Sequence, residues 1–183
     1  LIECKCSDFL YKSELDPTEV IICLNSVKEC VYGNFQNCYL DSLKDYPILR
    51  SFIMYKKDFR MENYLLCIKD YKLRKCLSQL RLSSHTLAIE EGRHMKPKLP
   101  IENRVCKFCD LNLLEDETHF LLICPKYQDL RIKFLCEVIK KEEILLDGDI
   151  NSVFGNITSR KNVEIIFSLC VFIQKSFKLR KTD

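Results

Sequence analysis

Glycine and proline together supply only nine of the 183 residues, and tryptophan is absent. At about 5% the pair falls well below the roughly 12% of ordinary chains, which excludes collagen and low-complexity disorder. A turn-rich β-sandwich is disfavoured too, because it needs a turn signal every ~8–12 residues. Long apolar runs are also missing. The longest, around Ile165 to Ile173, is interrupted by Ser168 and stays well short of the ~20 residues a bilayer-spanning helix needs. No membrane partner is therefore expected. The opening Leu1-Ile2-Glu3-Cys4 has no initiator Met, no basic n-region and no signal-peptide h-region. This is read as an intracellular, reducing compartment, cytoplasm or nucleus, and as an internal piece of a longer polypeptide.

What is present is 47% hydrophobic and 30% charged residues in a length suited to one domain with a small appendage. Apolar residues recur at three and four over Ser26 to Asp45, which predicts an amphipathic helix. Similar stretches follow at 48–55, 62–68, 71–85 and 163–178, and a long helix is expected from Pro125 to near Glu143. The fold class is thus mainly α, a helical array with a small embedded knuckle. Four regions are expected: a helical region at 1–87, a basic linker or arm at 88–103, a cysteine-bearing unit at 104–131 and C-terminal helices at 132–183. Gly92, Pro97 and Pro100 mark the linker. Leu146 to Asp149 reads as a turn, with a short helix at 150–154.

Twelve cysteines pose a choice between disulfides, a metal site and buried thiols. A chain of this length can bury roughly 70% of its unfolded surface and does not need covalent staples. Cys106-Lys107-Phe108-Cys109 is the one C-x-x-C, and His119 and Cys124 extend it to C-x2-C-x9-H-x4-C. Three thiolates and an imidazole are the donors tetrahedral Zn2+ prefers, and four protein ligands leave no position for a reactive water. One structural Zn2+ is the expected cofactor. Plain buried cysteines and a redox C-x-x-C remain alternatives, although no βαβ pattern surrounds this pair. His119 and Cys124 would stand ~140° apart on an unbroken α-helix, so the helix is expected to end between them, before Pro125. Cys30, Cys38, Cys67, Cys76, Cys136 and Cys170 are read as core residues, and Cys4 and Cys6 as a weak C-x-C metal signal. His85 and His94 lack a partner at ligand spacing and are read as surface or cap residues.

Arg81-Leu82-Ser83-Ser84-His85, Ile89-Glu90-Glu91-Gly92-Arg93, Arg104-Val105-Cys106-Lys107-Phe108-Cys109 and Glu115-Asp116-Glu117-Thr118-His119-Phe120-Leu121-Leu122-Ile123-Cys124-Pro125-Lys126-Tyr127, with Arg131, form two motif blocks. Together they resemble the region that follows the polymerase in LINE-type, non-LTR retrotransposon polyproteins. There, a fragment RLSxHxLxIExGR precedes R-x-C-x2-C, and an acidic segment closes the zinc unit. The match runs from about Leu80 to Arg131. The resemblance implies a zinc-binding, nucleic-acid-associated accessory region of a reverse transcriptase polyprotein, with Cys106, Cys109, His119 and Cys124 as ligands and a polymerase upstream in the same polypeptide. The chain has no F/Y-x-D-D block and no P-D nuclease signature, so this segment itself is expected to be non-catalytic.

Net charge is only +3, but Tyr71 to Lys107 holds nine basic residues against three acidic ones. Lysine and arginine displace condensed counterions from phosphates, so this basic arm is a candidate nucleic-acid surface. Arg81, Arg93, Lys96, Lys98, Arg104 and Lys107 are the candidate contacts. Phe108 is read either as a platform for a base or as a core aromatic. The tail Lys175 to Lys181 carries four basic residues, read as a solvated helix end or a further contact. The expected partner is RNA or DNA, single-stranded or bound with little sequence preference. The alternative is a helical protein–protein interaction domain that zinc merely staples.

Overall fold

The computed structural model describes residues 14–56, 60–136 and 163–181. The chain divides into two compact units, residues 1–47 with 57–59 and residues 48–56 with 60–183. It is mainly α-helical, as the apolar periodicity predicts.

The first unit is built on α1, Pro17–Leu43, which starts nine residues before the periodic pattern suggested. Asp16 explains the early start. Its carboxylate accepts from the Thr18 and Glu19 amides at 2.7 and 2.9 Å, while Glu19 accepts from the Asp16 amide, a reciprocal cap ahead of Pro17. Apolar residues lie on several sides of this helix, and only Leu43 is buried. Cys38 is consequently exposed and Cys30 half-buried, which corrects their assignment to a core. Cys67, Cys76 and Cys136 are likewise half-buried, whereas Cys170 is fully buried.

The second unit contains α2 (Arg50–Tyr55), α3 (Asn63–Cys67), α4 (Tyr71–Arg81), α5 (Ala88–His94), a short α6 (Gln128–Arg131) and α7 (Val163–Leu179). Asp70 caps α4 by accepting from the Lys72 and Leu73 amides. Leu73, Leu77 and Leu80, at helical spacing, bury one face of α4, which packs against Ile166, Leu169, Cys170 and Ile173 of α7 in one core. The helix stops at Arg81 rather than His85. Ser83 takes a left-handed backbone (φ 51°), and the Ser84 amide bonds back to the Gln79 carbonyl.

Residues 88–103 are not simply a linker. Ala88, Ile89, Glu90 and Gly92 are buried in α5, and the chain leaves helical conformation only at Met95. Gly92 does not break the helix but makes room. A β-carbon there would sit 2.6 Å from Cγ of Arg104, whose side chain lies across the helix. After Pro125 the helical stretch is composite: a 3-10 turn at Pro125–Tyr127, then α6, then a π-helical turn at Ile132–Cys136. The expected continuation to Glu143, the 146–149 turn, the 150–154 helix, and Cys4 and Cys6 lie outside the described residues. Among the described residues, no helix is long and apolar enough to cross a membrane.

Candidate metal centre

The metal unit begins with a narrow antiparallel pairing. Val105 bridges Leu114, the Cys106 amide donates to the Leu113 carbonyl at 2.9 Å, and the Glu115 amide donates to the Arg104 carbonyl at 3.0 Å. Asn112 supplies the left-handed residue (φ 56°) that the reversal requires, a conformation asparagine tolerates. At the other end the Phe108 amide points at Cys106 Sγ, 3.4 Å away. This folding sets Cys106 and Cys109 side by side.

The second pair is positioned by an unusual turn. The Asp116 carboxylate accepts from the His119 amide at 2.8 Å and starts a π-helical segment, His119–Ile123, which closes with the Cys124 amide on the His119 carbonyl at 2.8 Å. The wider i to i+5 turn brings together two residues that an α-helix would hold on different faces. The expected end of the helix before Pro125 is observed, since Cys124 is extended (ψ 122°) as a residue preceding proline should be. Arg131, itself buried, secures this geometry. Its guanidinium donates to the carbonyls of Leu121 at 2.7 Å and Cys124 at 3.0 Å.

The donor atoms of Cys106, Cys109, His119 and Cys124 all lie within 4.8 Å of one another. Cys106 Sγ is 3.9 Å from Cys124 Sγ, and Cys109 Sγ is 3.4 Å from His119 Nε2. Metal–sulfur and metal–nitrogen bonds of about 2.3 and 2.0–2.1 Å put two sulfurs of a tetrahedron about 3.8 Å apart, and a sulfur and a nitrogen about 3.5 Å apart. These two separations match, and the four donors together form a group that could hold a metal ion. Burial lowers the His119 pKa and favours the neutral ring that a ligand must present. Burial also raises the Cys106 and Cys124 thiols, so a cation must displace protons to bind there.

The three acids before His119 have separate tasks. Asp116 caps the π turn. Glu117, buried, accepts from the Ser83 hydroxyl at 3.1 Å and meets His85 Nε2 at 3.1 Å. Because the Leu87 amide points at His85 Nδ1, Nε2 is the ring nitrogen that carries the hydrogen. With its side chain only 1% exposed, His85 is a structural residue, so the surface half of the surface-or-cap expectation is corrected. Glu115 accepts from the Ala88 amide at 2.8 Å, from the Cys106 thiol at 3.4 Å and from the Arg180 guanidinium. Arg180 also covers the Phe108 ring at 4.3 Å from its centroid.

The structure separates the candidate nucleic-acid contacts. Lys96, Lys98 and Lys107 are exposed. Arg81 is buried, 1% exposed, pairs with Glu62 at 2.7 Å and stacks on Tyr55. Arg104 donates to the Leu99 and Ile89 carbonyls. Half-buried Arg93 pairs with Glu90 at 2.7 Å. Arg81 is corrected to an internal residue held by the Glu62 carboxylate, and Arg104 to a half-buried residue committed to two backbone carbonyls. Phe108 is half-buried against the core with Arg180 on it, so the core reading holds for one face of its ring. Arg180 likewise turns inward, unlike the remainder of the basic tail. Lys178 and Lys181 line a cleft of about 340 Å³ with Cys76, Gln79, His85 and Phe177.

Glu115, Glu117 and Arg180 carried no signal at the level of spacing, because their partners lie far away in sequence. No family, curated protein or solved structure matches the chain.

Proposed function

We propose that this chain is a structural-zinc, nucleic-acid-binding accessory region of a reverse transcriptase polyprotein of the LINE type, acting beside a polymerase located upstream. The observation that supports the reading is the convergence of Cys106, Cys109, His119 and Cys124, whose donor atoms all lie within 4.8 Å of one another. A second observation supports it. The two motif blocks that resemble the retrotransposon family dock on each other, Ser83 and His85 on Glu117 and Ala88 on Glu115. Zn2+ suits three thiolates and an imidazole, and would supply cross-linking rather than catalysis, since four protein donors complete its shell.

Exposed Lys96 and Lys98 precede this unit, exposed Lys107 lies within it, and all three would meet phosphates without base specificity. The test is binding of a labelled single-stranded RNA to the zinc-loaded chain as salt is raised. Affinity should be measurable at low salt and fall log-linearly with salt concentration. No binding at low salt sinks the reading.

A protein–protein role is the second reading. It is favoured by α1, which exposes Val20, Leu24, Val27, Val31 and Phe35.

A further inference from the structure

Arg180, near the end of α7, touches all three chain segments that carry the candidate ligands. It pairs with Glu115 on the segment leading to His119, stacks at 4.3 Å on Phe108 between Cys106 and Cys109, and meets the Tyr127 hydroxyl at 3.3 Å just beyond Cys124. A fourth bond, to the Thr86 carbonyl at 2.7 Å, ties it to the loop between α4 and α5. Its pair with Glu115 is enclosed, the two side chains being 8% and 2% exposed. Glu115 in turn contacts Cys106 Sγ. One planar, five-donor fork thus ties the knuckle to residues on either side of the π turn, Glu115 before it and Tyr127 after it.

We propose that Arg180 is the positioning residue of the metal centre and couples metal occupancy to the docking of the last turn of α7. The inference rests on the metal-binding reading above. Removing Arg180 frees the Cys106–Cys109 pair to move against the His119–Cys124 pair. It also leaves Glu115 buried beside a donor sulfur without a counter-charge. Coupling between two events is reciprocal, so an ion that fixes the knuckle must also hold Arg180 and its turn in place. Lys178 and Lys181 ride on that turn and wall the cleft, so metal loading also orders this basic surface.

The test measures Zn2+ affinity of the full chain by competition with a chromophoric chelator, together with hydrogen exchange of amides 175–181 with and without Zn2+. Substitution of outer residues around metal ligands typically lowers affinity about 10–100-fold. Arg180→Gln should fall in that range, and Arg180→Lys, which keeps the charge but not the fork, should weaken binding as well. Lys175→Ala, an exposed change on the same helix, should bind as the unsubstituted chain does. Zn2+ should slow exchange at 175–181 in the unsubstituted chain and clearly less in Arg180→Gln. If Arg180→Gln does not fold, Arg180→Lys decides. Unchanged affinity in the folded Arg180 variant, or exchange at 175–181 that ignores Zn2+, overturns this proposal alone. Failure of the unsubstituted chain to take up Zn2+ overturns the metal reading with it.

Discussion

Ser83 and Glu117, thirty-four positions apart, share a buried hydrogen bond of 3.1 Å. The serine reaches the carboxylate from a left-handed backbone (φ 51°), and His85 binds the same oxygen. The end of α4 is thereby fastened to the metal unit by one acid. Glu117→Ala should cost about 2–3 kcal/mol, because it strands a buried hydroxyl and an imidazole N–H without acceptors. The loss is read as a lower urea midpoint at constant slope. Ser83→Ala should cost less, since Glu117 keeps His85. Equal effects of the two substitutions would contradict this division.

Two helical glycines should respond oppositely to alanine. At Gly92 the new methyl meets Cγ, Cδ and Nε of Arg104 at 2.6–2.9 Å. Arg104 cannot swing away without breaking its bonds to Leu99 and Ile89. Gly92→Ala should therefore destabilise by about 1–3 kcal/mol, as overpacking does. At Gly33 nothing lies within 4 Å, so Gly33→Ala should strengthen α1 by about 0.5–1 kcal/mol. Helix content and thermal midpoint of each variant check the signs.

The helices and the metal residues are legible in the sequence because both are local. Leu73, Leu77 and Leu80 follow the helical period, and C-x2-C-x9-H-x4-C brings three thiols and an imidazole into nineteen residues. The basic arm is not legible in the same way, because charge counted along a sequence does not reveal where a side chain ends. Arg81 and Arg104 offset the cost of their burial with acceptors that only the folded chain presents. Gly92 looks like a breaker in sequence, and its use as a contact surface depends on Arg104, twelve residues on. Arg180 resembles a solvated cation for the same reason: its partner Glu115 is sixty-five residues away.

Alkaline pH should weaken the second unit. Burial pushes the Cys170 thiol from its ordinary value of about 9 up to about 12. Burial also raises the Tyr55 and Tyr127 hydroxyls above their usual 10. The unfolded chain releases these protons at the ordinary values while the folded chain retains them, so the unfolded state binds fewer protons in this window. Stability is then fully present below pH 9, declines above it as Cys170 is exposed on unfolding, and falls more steeply above 10. Urea unfolding from pH 7 to 11 measures this, and Cys170→Ala should make the decline between 9 and 10 shallower. Equal stability at pH 8 and 10.5 would contradict the assigned burial.

Metal content provides a direct count. The purified chain should carry one Zn2+, and Cys109→Ser and His119→Ala should each lose most of it, since either leaves three donors where four are required. Metal binding to such sites is worth on the order of 10–16 kcal/mol in small zinc peptides. Chelation should therefore loosen the segment from Arg104 to Arg131 first. Phe120 contacts Phe177 at 4.8 Å and Tyr127 at 4.9 Å, so that loosening should reach α7, visible as faster hydrogen exchange in both segments. Full metal retention in both variants would remove the assignment.

The last prediction separates surface cations from internal ones. Lys96, Lys98 and Lys107 are exposed, whereas Arg104 commits its guanidinium to two backbone carbonyls. Each lysine taken away from a phosphate should reduce the dependence of log affinity on log salt by about 0.7 for a single strand. The triple change Lys96→Gln, Lys98→Gln and Lys107→Gln should thus lower the slope by about 2 and leave the urea midpoint nearly unchanged, because exposed substitutions usually shift stability by no more than about 0.5 kcal/mol. Arg104→Lys should do the reverse, keeping the salt slope while the midpoint falls, since a lysine cannot bridge both carbonyls. A slope that responds to Arg104→Lys and ignores the three lysines would move the nucleic-acid surface away from this face.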